Sequence, residues 1–250
     1  MSLVTDLFIL ASAFVTAVLS GVFGMAGGLL LMGGLALVLP VKAAFVTHGL
    51  LQLVANGWRA LLHRRFVRWD VIGLYAAASA SAALFVSTIA FAPSKPLLFL
   101  LLGLIPGVLW LPKSWIQLDA ARPPHAFACG LMVTGVNLMA GVAGPLLDIF
   151  FVRTELTRHA IVATKAATQV FSHLAKVGVY GAPLIGKVGA VLPPLWVFVV
   201  AAPLSIAGTV IGGAVLARIN DVDFKRWTRW IVTAIGVAYL AQAKQLWRTA

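Results

Sequence analysis

Long apolar runs dominate the chain, at residues 4–39, 41–63, 70–92, 96–112, 125–152, 158–181, 189–217 and 227–247, with only short polar connections between them. Most reach the ~20 residues a helix needs to cross the hydrocarbon core of a bilayer. None shows the strict alternation of polar and apolar positions that marks a barrel strand, so the runs are read as helices, whose backbone groups bond internally. The pattern predicts an all-α integral membrane protein of about eight transmembrane helices, forming a single membrane transport domain over residues 1–250. The first run continues well past the length of a cleaved signal and lacks a basic stretch before it, so it is expected to remain as the first helix.

Polar positions inside these runs repeat. Sliding residues 24–52 onto 141–169, an offset of 117, gives nine identities without a gap: Gly24/Gly141, Ala26/Ala143, Gly27/Gly144, Leu29/Leu146, Leu30/Leu147, Leu39/Leu156, Ala43/Ala160, Thr47/Thr164 and Gln52/Gln169. The same register pairs His48 with Lys165, Asn56 with His173 and Arg59 with Lys176, each polar in both halves. This is the signature of duplication, with repeat 1 at about residues 4–112 and repeat 2 at about 125–247.

Two features of the repeat point to a site. The segments Gly24–Gly28 and Gly141–Pro145 interrupt apolar runs at the same place, and unwound backbone within a membrane is tolerated where it lines a cavity or is buried in protein. Each half is expected to hold a Gly-rich broken or re-entrant helix, whose second part starts with free amide donors and a positive dipole end, attractive to anions. Close packing of small residues is the alternative for either segment taken alone. The helices that follow carry His48, Gln52, Asn56 and Arg59, and Lys165, Gln169, His173 and Lys176, each set on one helical face. At 1.5 Å rise per residue, Gln52 and Gln169 lie about 15 Å along their helices, near mid-bilayer. The substrate-binding set read from these patterns is Gly24, Gly27, Gly28, His48, Gln52, Asn56, Gly141, Gly144, Lys165, Gln169 and His173.

Lys165 has no acidic neighbour on its own helix, so it either meets substrate or pairs with Asp148, which stands well inside an apolar run; substrate could break such a pair. His48, His173 and Asp148 can change charge within the bilayer and are the candidates for proton coupling. Arg59 and Lys176 stand nearer helix ends and are expected to snorkel to the interface. Thr47, Thr164, Thr168 and Ser172 flank the rows and are expected to bond their own helices.

Composition fits this class: 61% of residues are hydrophobic, 10% are charged and the mean hydropathy is +1.00, too apolar for a soluble globule. The net charge of +12 sits largely in loops beside helices, where it bears on topology and lipid rather than nucleic acid. The densest basic segments, Arg59/Arg64/Arg65/Arg68 and Arg218/Lys225/Arg226/Arg229, both favour the cytoplasmic side. Eight plain crossings put them on opposite sides, whereas a re-entrant hairpin at Gly141–Pro145 allows both inside; the sequence leaves parallel and inverted halves open, with the charge pattern leaning towards inverted. Trp58, Trp69, Trp110, Trp115, Trp196, Trp227, Trp230 and Trp247 mark helix ends as interface anchors. The lone Cys129 excludes an intrachain disulfide and a cysteine metal cluster and reads as a packing residue. No cofactor or metal is expected.

On these residues the chain resembles the TauE/SafE family, the sulfite exporter or toluene-sulfonate uptake permeases. The likeness rests on the two glycine-rich breaks, each followed by an Ala-x-x-x-Thr helix start at Ala43 to Thr47 and Ala160 to Thr164. Two departures stand out: Ala26-Gly27-Gly28 and Ala143-Gly144-Pro145 replace three consecutive glycines, and Asp148 occupies a usually apolar position. The resemblance implies a secondary transporter of a small organic or sulfur-containing anion, such as a sulfonate, sulfite or related oxyanion, in a bacterial inner membrane. The cationic and amide-bearing rows agree on the sign of the substrate. Coupling to protons and alternating access are expected, with lipid and possible protons as partners, a homodimer left open and no nucleic acid. A passive anion channel, an intramembrane enzyme built on the histidines and a purely structural subunit are the other classes.

Overall fold

The computed structural model describes residues 1–112, 118–151, 154–184, 192–218 and 221–249. Among them are ten α-helices and no strand: α1 (Leu3–Phe23), α2 (Met25–Val38), α3 (Val41–Leu62), α4 (Trp69–Thr88), α5 (Lys95–Leu104), α6 (Pro123–Ala140), α7 (Gly144–Phe151), α8 (Arg158–Gly181), α9 (Leu195–Leu216) and α10 (Asp221–Arg248). By length and composition α1, α4 and α9 can each cross a membrane. Helices α3, α8 and α10 are as long, at 22, 24 and 28 residues, and carry more polar side chains. Trp115 lies outside the described residues, as does the side chain of Lys225.

The first apolar run is two helices, not one. At Gly24 the backbone takes φ 62°, a conformation that glycine reaches without penalty, and α2 turns back along α1. Gly27 then packs so tightly on α1 that an added Cβ would strike the Thr16 carbonyl and Ser20, while Gly34 faces Phe8. The run through 125–152 does the same at Gly141, φ 80°, where α6 ends and the short α7 begins. The Phe150 carbonyl, near the end of α7, accepts from the Ala120 amide just before α6 at 2.8 Å. Each run was expected to hold a broken or re-entrant helix, and glycine at the point of reversal makes it a hairpin.

Packing directions follow from side-chain pairs. Helices α3 and α8 are antiparallel, with His48 beside Lys176, Gly49 against Val177 and, at the other end, the Arg68 amide donating to Thr164 Oγ1 at 3.1 Å. Helices α1 and α9 run parallel along a glycine seam, where a Cβ on Gly21 would stand 2.7 Å from the Gly212 Cα and one on Gly208 2.7 Å from the Phe14 carbonyl. Small residues of this kind let membrane helices approach backbone to backbone. Helices α4 and α6 are also parallel, but a buried hydroxyl chain joins them: Ser79 to Thr134 at 2.7 Å, Thr134 to Ser172 of α8 at 2.9 Å and Ser172 to Tyr75 at 2.6 Å. The antiparallel pair α5 and α10 meets at Gly103 and Leu240, and Trp110 donates to Thr233 at 3.0 Å. Tyr239 of α10 reaches across to the Leu29 carbonyl of α2 at 3.1 Å.

These directions bring the C-terminal ends of α3 and α9 to one end of the molecule, so Arg64, Arg65 and Arg68 share it with Arg218 and Arg226. Of the tryptophans expected at helix ends, Trp69, Trp110, Trp196, Trp227, Trp230 and Trp247 are exposed, whereas Trp58 is half-buried and its Nε1 has no partner. Cys129 is free and buried.

Candidate functional site

The two reversals place the starts of α2 and α7 against each other: a Cβ on Gly144 would lie 2.6 Å from the Met25 Cβ. The start of α2 has no side-chain cap, and neither first turn holds an acidic residue. Two positive helix ends therefore face one space, the arrangement that favours an anion. Packed beside them, α3 and α8 turn their polar rows to the same space, a cavity of about 470 Å³. That volume lies within the range of small-molecule pockets.

Of the residues read from the sequence, Gly24, Gly28, His48, Gln52, Asn56, Gly144, Lys165, Gln169 and His173 line this cavity, and Asp148 joins them. Two do not. Gly27 is held against α1, and Gly141 turns its carbonyl to the Lys176 ammonium outside the cavity. The cavity runs from His48 and His173 toward the arginine-rich end, where Arg59, Ile161 and Leu216 line it.

Polar contacts sort the lining into held and open groups. Gln52 Oε1 accepts from Asn56 Nδ2 at 3.0 Å, which leaves the Gln52 amide nitrogen facing Gly28 and the cavity. Lys165 donates to Asp148, and each side chain of that pair is about a quarter exposed. Arg59 buries its Nη2 without a partner, and so does His173 its Nδ1. The His48 and His173 rings stand 5.5 Å apart.

Lys176 does not snorkel. It is fully buried, donates to the Gly141 carbonyl, sits 3.1 Å from His48 Nδ1 and lies over the Phe45 ring at 5.5 Å. Arg59 likewise turns inward to the cavity rather than out to an interface. Each of the two side chains sits on the inner face of its helix, so nearness to a helix terminus in sequence does not mean nearness to water. Of the flanking hydroxyls, Thr168 bonds its own helix through the Lys165 carbonyl at 2.9 Å. Thr164 and Ser172 instead serve other segments, and Thr47 Oγ1 has no partner.

Ser20 and Asn137 line the cavity and were missed. They stand in the same register of 117, four residues before the reversing glycines, and the carbonyl of each accepts the glycine amide at 3.0 Å. Extending the repeat upstream would have found them. Asn137 donates to the Ser172 carbonyl at 3.2 Å and leaves its Oδ1 without a partner.

No curated protein and no solved structure matches the chain. A family model described as Sulfite exporter TauE/SafE matches residues 9–239, nearly the whole length. With paired helix starts, facing amide rows and inward cations already placed around one cavity among apolar helices, that match assigns the chain to the TauE/SafE sulfite exporter family of membrane transporters.

Proposed function

We propose that this protein is a secondary transporter that moves a small sulfur-containing or organic anion, a sulfonate, sulfite or related oxyanion, across a bacterial inner membrane. The observation that carries the reading is the convergence of two helix starts with no acidic residue in their first turns, the Gln52 and Gln169 amides, and the cations Arg59 and Lys165 on one cavity. Asp148 is the only carboxylate among the described lining residues, and Lys165 already neutralises it. An empty site therefore carries the excess positive charge of Arg59. The volume exceeds what a bare oxyanion fills and leaves room for a short organic chain or water.

The multi-pass architecture proposed is two inverted repeats related by an axis in the membrane plane. Its support is the antiparallel pairing of α3 with α8, the parallel pairing of α1 with α9 echoed by α6 with α4, and a reversal at the same register in both halves. Alternating access would exchange the roles of the two halves around the shared cavity. The common end of the two arginine clusters is assigned to the cytoplasm, which makes the cavity inward-facing. Proton coupling draws on His48, His173 and Asp148, which can change charge beside the substrate. An enzymatic alternative needs the histidines and Asp148 to act together, yet Asp148 is engaged by Lys165 while His48 is engaged by Lys176.

Thermal stabilisation of the detergent-purified protein by a panel of sulfonates, sulfite, carboxylates and cations tests the reading, with Lys165→Ala alongside. Selective stabilisation by a sulfur anion, lost in the variant, is expected. No response to any anion would sink it.

A further inference from the structure

Lys176 is an anomaly that anion binding does not absorb. Its side chain is fully buried, yet among the described residues no carboxylate stands within ion-pair distance. A cation so placed is costly when nothing neutralises it, even with good hydrogen bonds. It does not line the cavity, so it is not a simple substrate contact. What it has instead is a connection: Nζ stands 3.1 Å from His48 Nδ1, and His48 Nε2 stands 3.0 Å from the Gly28 carbonyl at the cavity wall.

We propose that Lys176 is the site of the coupling proton and that His48 passes this proton between Lys176 and the cavity, an assignment that rests on the proton-coupled transport proposed above. With the proton on Lys176, the ammonium donates to the Gly141 carbonyl and to His48 Nδ1. That fixes His48 as the tautomer whose Nε2–H donates to Gly28. Transfer breaks one N–H bond of Lys176 and forms the Nδ1–H bond of His48; the freed lysine lone pair then accepts from Nδ1–H, and Nε2–H still meets Gly28. Both positions of the proton are satisfied without moving a heavy atom. Release of the Nε2 proton to cavity water or to His173, whose ring is 5.5 Å away and whose Nδ1 has no partner, empties the pair.

The surroundings explain why substrate would govern this proton. The titratable groups about Lys176 are His48 on α3 and His173 on its own helix, with the Tyr180 ring tilted against Phe45 at 4.6 Å. Helix α2 presents the Gly28 carbonyl and α6 ends on the Gly141 carbonyl; neither brings a charge. Asp148 is held at the other part of the cavity by Lys165. An anion entering beside Gly28 and His173 supplies the missing countercharge, so proton and anion bind together. Linkage then requires affinity for a monoanion to rise about tenfold for each pH unit lowered, over the range in which the pair titrates.

The test uses the full chain in proteoliposomes with methanesulfonate, a permanent monoanion whose own charge does not vary with pH, and with sulfite in parallel. Lys176→Gln keeps hydrogen bonds to Gly141 and His48 but cannot carry the proton. Expected are a weak methanesulfonate affinity that no longer rises as pH is lowered, where wild type gains about tenfold per pH unit, and pH-gradient-driven accumulation reduced about tenfold or more. Accumulation retained in the variant overturns the assignment, and so does a methanesulfonate affinity that still rises with falling pH as in wild type. If Lys176→Gln does not fold, protons taken up per methanesulfonate bound are counted in wild type and the rate of uptake is compared with His48→Gln: about one proton, taken up about tenfold or more slowly in the variant, supports the relay, and no proton or an unchanged rate overturns it. A wild-type protein that transports neither anion refutes the functional reading itself, a result distinct from all of these.

Discussion

Replacing Asp148 with leucine should weaken the empty protein and tighten its hold on the anion. The position aligned with Asp148 in the first repeat is Leu31, so the substitution gives the second repeat the side chain already present in the first. In the empty site Asp148 occupies Lys165, and the two side chains are 25% and 26% exposed. Stripping one partner from a fully buried pair costs about 3–5 kcal/mol, against about 0.2–1 kcal/mol for an exposed pair, so about 2 kcal/mol fits a quarter-exposed one. The same Asp148 competes with an incoming anion for the Lys165 ammonium. Removing the competitor gives the anion up to about 2 kcal/mol, or roughly thirtyfold in affinity. Thermal melts in detergent and titration calorimetry with methanesulfonate measure the two effects on one preparation. The melting temperature of empty Asp148→Leu should fall, the affinity should rise, and Asp148→Leu/Lys165→Met should recover stability while losing the anion. Weaker or unchanged binding in Asp148→Leu would refute the competition and make Asp148 a support for Lys165 instead.

Gln52→Ala and Gln169→Ala should each lower uptake about tenfold at similar folded yield, because each removes one neutral donor from the cavity; an uptake assay scaled to purified protein decides. Gly27→Ala should destabilise by about 1–3 kcal/mol through overlap with α1, whereas Gly213→Ala, which meets nothing within 4 Å, should leave the melting temperature near wild type. Cysteines placed at Arg64 and Arg226 should react with an impermeant thiol reagent only after the cells are opened, and one at Ser2 in intact cells. Cys129 is buried and gives a low background. Labelling of Arg64→Cys in intact cells would reverse the assigned orientation.

Much of this site was legible because its signals are local. Glycine at 24 and 141 marks places where only a residue without a Cβ turns the chain easily, and spacing by three and four puts His48 to Arg59, and Lys165 to Lys176, on single faces. A broken or re-entrant helix at each glycine was legible, and the basic clusters leaned towards a hairpin at Gly141–Pro145; hydropathy alone is blind to the reversal, because it counts residues without direction. Lys176 was misplaced for a related reason: its partner His48 lies 128 residues away in sequence, and no property of its own helix announces that burial. The hydroxyls divided similarly. Thr168 found a carbonyl on its own helix, but Ser172 and Thr164 found partners that only tertiary packing supplies.

The parallel pairs α1 with α9 and α4 with α6 look alike in direction but are joined by different materials. One is a seam of closely packed glycine backbone; the other is a chain of hydroxyls, Tyr75, Ser172, Thr134 and Ser79, whose donors can rotate to new acceptors within the same space. Exchange of two chemically identical halves would be a swap between equals, with neither facing state preferred. In the proposed alternating-access cycle the two halves would answer deformation differently, one brittle and one forgiving, so the repeat would supply the geometry of the cycle while the difference between these joints would set its resting point.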